Sequence, residues 1–176
     1  MTSRSRYLTI AGVLSGSIAA DQLLKIAATA FLRFAMPLSY FGDFIRFEYA
    51  ENSGVMLSVG ASLSPAMRFW IFVVAIGIVL LAMLLYVIRS RELDRFQVVA
   101  WSLIISGGMG NLLDRLLKNG VVVDYISVGF HLLRTAVFNF ADVVVFVGVF
   151  LVLVHRTKSH HGAPAELTGN ADISGQ

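Results

Sequence analysis

Charged residues are distributed along this chain so as to leave long apolar runs between them. From Phe69 to Ile88 there is no charge, and a helix rising ~1.5 Å per residue carries a run of that length across the ~30 Å of a hydrocarbon core. Phe96 to Leu113 is a second charge-free run, followed at once by Asp114 and Arg115; Val137 to Val154 is a third, interrupted only by Asn139 and Asp142 near its start. The segment Tyr7 to Leu32 is apolar up to Asp21, Gln22 and Lys25 and apolar again from Ile26. Arg4 and Arg6 ahead of it, with small residues at Ser17, Ala19 and Ala20, also fit a cleaved signal peptide, but the renewed apolar character makes the whole stretch long enough for a tilted span. The pattern predicts a membrane all-α fold with four transmembrane helices.

The connections carry a different period. Ile45, Arg46, Phe47, Glu48 and Tyr49 alternate apolar with charged, Asn52-Ser53-Gly54 supplies a turn signal, and Val55 to Val59 is apolar again. A small antiparallel β-hairpin lying on the membrane surface is expected there, as an amphipathic cradle built on Ile45, Phe47 and Tyr49. After an Asn119-Gly120 turn, Val121 to Ile126 is a strand-like run with one carboxylate, Asp124, inside it; an acid so placed is costly without a partner or a task. The polar tail has no periodicity, so residues 1–158 are expected to form one membrane unit and residues 159–176 a disordered cytoplasmic tail.

Composition agrees with the spans. The chain has 176 residues, 57% of them hydrophobic and 14% charged, with a mean hydropathy of +0.76, whereas about a quarter of a soluble domain is charged. The absence of cysteine excludes thiolate nucleophiles, disulfides and Cys-based metal centres. The net charge of +3 is explained by Lys and Arg flanking the spans, so no nucleic-acid partner is expected. Basic residues divide evenly between the two sides but are densest at Arg4, Arg6, Arg89, Arg91, Arg95, Arg156 and Lys158; this predicts both termini cytoplasmic and the hairpin extracytoplasmic.

Ionisable groups inside spans are candidate functional sites by default. Asp21 and Lys25 stand i, i+4 in the order that favours an intrahelical pair; a structural ion pair is the first reading and direct chemistry the second. On the third span Gly107, Asn111 and Arg115 share one stripe, and Gly110 and Asp114 another, with the glycines permitting close helix approach. Asp142 is expected about five residues inside the fourth span, ~7 Å below the outer interface, with Asn139 one turn earlier on the same face. Asp124 and Asp142 fall on the same side of the membrane. If they meet, mutual repulsion would leave one protonated and one ionised, the state of an aspartic protease dyad. An intramembrane acid serves proton transport as readily. No metal is expected: there is no His-Glu-x-x-His, and His155, His160 and His161 read as solvated tail residues.

Five ordered blocks carry a resemblance: Asp21-Gln22-Leu23-Leu24-Lys25, Asn52-Ser53-Gly54, Gly107 through Arg115, Val123-Asp124-Tyr125-Ile126, and Phe138-Asn139-Phe140-Ala141-Asp142. In order and spacing they resemble lipoprotein signal peptidase, the signal peptidase II family, over about residues 7 to 155. The resemblance implies an aspartic endopeptidase of the bacterial cytoplasmic (inner) membrane that removes the signal peptide from diacylglyceryl-modified prolipoproteins, before the lipidated cysteine, at the extracytoplasmic face. It implies Asp124 and Asp142 as the dyad and Asn52, Gly54, Asn111, Arg115 and Asn139 as residues lining the site and holding substrate. Asp21 and Lys25 become a supporting polar pair. It implies no cofactor, contact with membrane lipids, inhibition by globomycin, and is read here with a monomer. Where the family has Ala-Ala-Phe after the turn, this chain has Val55-Met56-Leu57, which bears on substrate range. The rival reading is a small proton-coupled four-helix transporter with Asp21 or Asp142 as its proton site; a noncatalytic assembly factor packing through Gly107 and Gly110 would leave both acids unexplained.

Overall fold

The computed structural model describes residues 1–54, 63–130 and 133–160. Helix α1 (Ser3–Leu32) leads to strands β1 (Leu38–Tyr40) and β2 (Ile45–Asn52); α2 (Pro65–Phe69) continues through a π-helical stretch (Trp70–Ala75) into α3 (Ile76–Arg89); then come α4 (Arg95–Leu117), β3 (Val122–Phe130), β4 (Leu133–Arg134) and α5 (Phe140–His160). Local chemistry sets the starts. The Thr2 hydroxyl accepts from Ser5 N, Ser64 caps α2 with Pro65 at its first turn, and Asp94 forms a reciprocal capping box with Gln97 at the head of α4.

Three helical rods, Ser3–Leu32, Pro65–Arg89 and Arg95–Leu117, are long and apolar enough to cross a membrane, and α5 contributes a shorter apolar stretch, Phe140–His155. The chain is thus a membrane-type helical protein of three to four apolar helices with a small antiparallel sheet. Side chains such as Leu8, Leu23, Ile78, Leu81, Phe146 and Phe150 point outward, as lipid-facing residues do. Helix α4 sits at the centre, against α1, α3 and α5. Its glycines make that possible: a Cβ on Gly107 would stand 2.7 Å from Val145 Cγ2 of α5, and one on Gly110 would stand 2.6 Å from Asp21 Oδ2 of α1. The two stripes read from the sequence therefore face two different neighbours.

The end of the bundle away from the sheet is apolar, filled by Ile10, Val87, Leu93, Val98 and Ile105. One charge is buried there. The Arg6 guanidinium donates to Leu93 O at 3.1 Å, to Val87 O at 3.5 Å and to Ser90 O, satisfying carbonyls left open where α3 ends. Counted from the sequence as a flanking charge, Arg6 is instead a clamp on the α3–α4 turn.

The expected strand over Ile45–Tyr49 forms and runs on to Asn52, but its hairpin partner is β1, which precedes it, and its other edge is β3 from the second connection. The α1–α2 and α4–α5 connections therefore build one antiparallel sheet, in the order β1-β2-β3-β4. The Val55–Val59 run, with Val55-Met56-Leu57, lies outside the described residues, as does the chain after His160 on which most of the tail expectation falls. Between Phe47↔Ile126 and Ala50↔Asp124 the register slips by one, so Glu48 and Tyr49 together face Tyr125. This bulge reverses the phase of β2. It turns Tyr49 away from the Ile45–Phe47 face, where its hydroxyl donates to Glu51 Oε1 at 2.8 Å, and it brings Ala50 and Asn52 onto the face of Asp124. A cradle face of Ile45, Phe47 and Tyr49 is corrected accordingly.

Candidate active site

Helix α5 begins later than the apolar run suggested. Phe138 is still extended, bridged to Ile126, and Asn139 is the capping residue: its Oδ1 accepts from Asp142 N at 3.1 Å while Asp142 Oδ2 accepts from Asn139 N at 3.1 Å. This is a capping box with an aspartate at the third position. Asp142 is therefore in the first turn of α5, not five residues inside it, and Asn139 precedes the helix. The other early N–H groups are also accounted for, Phe140 N on the Tyr125 hydroxyl at 3.2 Å and Ala141 N on Asp21 Oδ1 at 3.0 Å.

Around this start the polar residues converge. Asn139 Nδ2 donates to Asp124 Oδ1 at 2.6 Å and to Asn111 Oδ1 at 3.0 Å. Asn52 Nδ2, diagonal to Asp124 across the β2–β3 ladder, donates to Asp124 Oδ2 at 3.0 Å. Asn111 Nδ2 donates to Asp142 Oδ1 at 2.8 Å. Both oxygens of both carboxyls thus accept amide hydrogens, and Asn139 touches the two acids at once. Burial pushes the Asp124 carboxyl up to about 6; the Asn52 bond pulls the other way, and the charge of nearby Asp142 pushes it further up.

Lys25 fixes the orientation of Asn111. Its ammonium, which can only donate, reaches Asn111 Oδ1 at 2.9 Å, which leaves the Asn111 amide nitrogen for Asp142. Lys25 also pairs with Asp21 Oδ2 at 2.9 Å and Asp114 Oδ2 at 3.2 Å, all three groups being essentially without solvent exposure. The expected Asp21–Lys25 pair is present and is part of something larger: Gln22 Nε2 spans Asp21, Gly110 O and Asp114, and Asp114 Oδ2 accepts Val123 N at 3.1 Å, holding the start of β3. Asp114, Gln22 and Tyr125 were not singled out from the sequence. The facing positions of Gly110 and Asp114 on one stripe were the available signal for Asp114.

Arg115 closes the site on the remaining side. It donates to Gly54 O at 2.9 Å and Asn111 O at 3.3 Å, and its guanidinium lies 5.8 Å from the Phe72 ring centroid, on the π-helical stretch. Gly54 N in turn donates to Asn52 Oδ1 at 3.0 Å, an Asx turn. All of the residues singled out by the sequence, Asp21, Lys25, Asn52, Gly54, Asn111, Arg115, Asp124, Asn139 and Asp142, therefore belong to one connected network. His155 does not behave as a solvated tail residue: its Nε2 is 3.2 Å from Asp94 Oδ2 and its ring stacks on Phe96. The side chains of His160 and His161 lie outside the described residues. Among the described residues no group of His, Asp and Glu is arranged to hold a metal ion.

Residues 13–158 match the family model for signal peptidase (SPase) II. The chain belongs to the signal peptidase II family. Lipoprotein signal peptidase of Borrelia turicatae is 32% identical over 158 residues, covering 87% of this chain and 92% of the relative; that of Borreliella burgdorferi strain ZS7 is 32% identical over 161 residues, covering 88% and 94%. Two solved structures of a bacterial membrane enzyme share the fold. The one at 2.3 Å resolution has a TM-score of 0.73 at 25% identity over 94% of both chains, and the one at 1.9 Å has 0.71 at 26% identity over 85% of this chain and 93% of its own. For a member of the signal peptidase II family, a membrane peptidase, the gathering of polar groups at the sheet end of the bundle is the natural candidate for the reacting centre, and it gives no support to a transporter with acids at mid-membrane.

Proposed function

We propose that this chain is an aspartic endopeptidase that removes the signal peptide from diacylglyceryl-modified prolipoproteins, cutting before the lipidated cysteine, with Asp124 and Asp142 as the dyad. The observation that carries the reading is the bridging of two carboxyls through Asn139, one of them held near 6 by burial. The names of the relatives support the substrate class.

In this reading Asp124 is the acid of the pair and Asp142 the base. A water between them loses a proton to Asp142 as its oxygen attacks the scissile carbonyl, whose oxygen takes a hydrogen bond and then the proton from Asp124. On collapse of the gem-diol intermediate Asp142 gives its proton to the leaving amine while one gem-diol hydroxyl returns a proton to Asp124, so the pair ends as it began. Asn111 and Asn139 keep the two carboxyls in register through this exchange. Arg115, by fixing the Gly54 carbonyl, and Asn52 hold the Asn52–Gly54 turn as a rail for an extended peptide, which converts encounter into oriented attack. The reaction uses no cofactor or metal. The enzyme acts as a monomer in the bacterial inner membrane, among membrane lipids, with both termini cytoplasmic and the sheet at the extracytoplasmic face, where a lipid-anchored substrate presents its scissile bond. Globomycin is the expected inhibitor.

The test is cleavage of a diacylglyceryl-modified prolipoprotein by purified protein, followed by gel shift. Turnover by the wild type that stops with globomycin and is absent in Asp124→Asn and Asp142→Asn supports the proposal. Turnover retained by either variant removes that residue from the mechanism.

A further inference from the structure

At the end of the bundle opposite the aspartates, α1 and α4 both present their N-termini, and between them lies a shallow groove, open along its length, of about 590 Å³. One end carries Arg4 and Arg95 with the Ser5 hydroxyl beside them; below them Leu8, Gly12 and Val99 form an apolar surface that faces outward. Both arginines are exposed, and neither guanidinium has a hydrogen bond or ion pair among the described residues. The acid nearest in sequence, Asp94, is engaged elsewhere, with Gln97 N and His155 Nε2. That surface is open: a Cβ placed on Gly12 meets nothing within 4 Å.

Arginines at the ends of spans ordinarily reach for the interface. Here two of them, unneutralised, stand over an apolar, outward-facing surface, and the positive ends of two helix dipoles point toward them. Charge at the top and bare hydrocarbon surface below match one ligand class. We propose that this groove is a binding site for an anionic glycerophospholipid, with its phosphodiester between Arg4 and Arg95 and an acyl chain along Leu8, Gly12 and Val99. The lipid acts as a strap across the heads of α1 and α4, helices that carry Lys25 and Asn111 at their other ends.

The experiment is native mass spectrometry of the whole chain released from bilayer discs of phosphatidylglycerol mixed with phosphatidylcholine. The wild type should keep phosphatidylglycerol in preference, and Arg4→Gln/Arg95→Gln should lower that preference by roughly thirtyfold, as expected for removing two cations near a membrane surface. Gly12→Leu should lower retention without changing charge, whereas Arg91→Gln, exposed at the same end but outside the groove, should leave it intact. Melting temperatures of the variants, measured without added lipid, check that each is folded. Equal retention of the two lipids by the wild type, unchanged retention by both the double variant and Gly12→Leu, or full displacement by inorganic phosphate would overturn the proposal. So would disulfide cross-linking of two copies through Gly16→Cys in these bilayers, which would make the exposed Gly12–Gly16 stripe a protein contact.

Discussion

Lys25 is a fully buried ammonium, and it is stable there because Asp21 and Asp114 supply two carboxylates and Asn111 a carbonyl. Removing the cation from such a cluster leaves buried acids uncompensated, which costs about 3–5 kcal/mol. Lys25→Met is therefore expected to lower the melting temperature sharply, and Asp114→Asn added to it should recover part of the loss; a double variant no better than the single would show that the two groups do not share charge. Asp124 has the opposite character. Its carboxyl is raised from the usual 3.8 to about 6, so its contribution to stability is fully present below about 3.8 and is lost as pH rises through about 6. At pH 8 the folded protein carries a buried anion whose ionisation costs about 3 kcal/mol. Asp124→Asn, inactive under the proposed chemistry, sets an NH2 against the amide donors of Asn52 or Asn139 and should melt below the wild type at pH 4, with the gap narrowing at pH 8 where the wild type carries the buried anion. Thermal scans at the two pH values check this, and a gap that does not narrow would contradict it. These acids and amides were legible in the sequence because polar residues are conspicuous in apolar runs. Asp114 shared a stripe with Gly110 but drew no role, since at the end of a run and next to Arg115 it resembles an ordinary flank.

At the scale of elements, the start of α5 and the bulge in β2 decide the geometry. Asn139→Ala removes the cap of α5 and its bridge to Asp124. The cap alone is worth about 1 kcal/mol, and the loss of both should abolish most turnover as well; Asn139→Ser, which keeps a capping oxygen, should recover stability but not rate. Stability and kcat measured side by side separate the two roles. A comparable contrast applies to α4. Gly110→Ala places a methyl against Asp21 and is expected to cost about 1–3 kcal/mol by overpacking, whereas Gly16→Ala, with open space around it, should be neutral. The spans were readable from hydrophobic runs, but the α5 boundary was misplaced because apolarity continues through Val137 and Phe138 while the capping pattern Asn139-x-x-Asp142 marks the true start. Strand β1 escaped because Leu38-Ser39-Tyr40 is too short to show a period, and the bulge because an alternating sequence does not say where the phase breaks.

In the whole molecule, the site is assembled from β2, α4, β3 and α5, with α1 bracing it from behind. Fold class followed from composition and period, whereas the joining of two distant connections into one sheet is a long-range pairing that no local pattern encodes. The proposed mechanism places one proton on the acid pair, so kcat/KM should fall as pH rises through about 6, where Asp124 loses its proton, with the apparent value belonging to the pair. A flat profile between pH 5 and 8 would remove the pair from proton transfer.

The Asn139–Asp142 exchange has one more implication, for the order in which the protein is made. The hydrogen bonds that tell α5 where to begin run through the same asparagine side chain and the same carboxylate that join Asp124 to Asp142, and α5 follows the other described helices in the chain. A chain caught before that helix seats has lipid-ready spans and a sheet but only one acid and no bridge. Under the proposed chemistry the seating of α5 and the gain of activity are thus a single event.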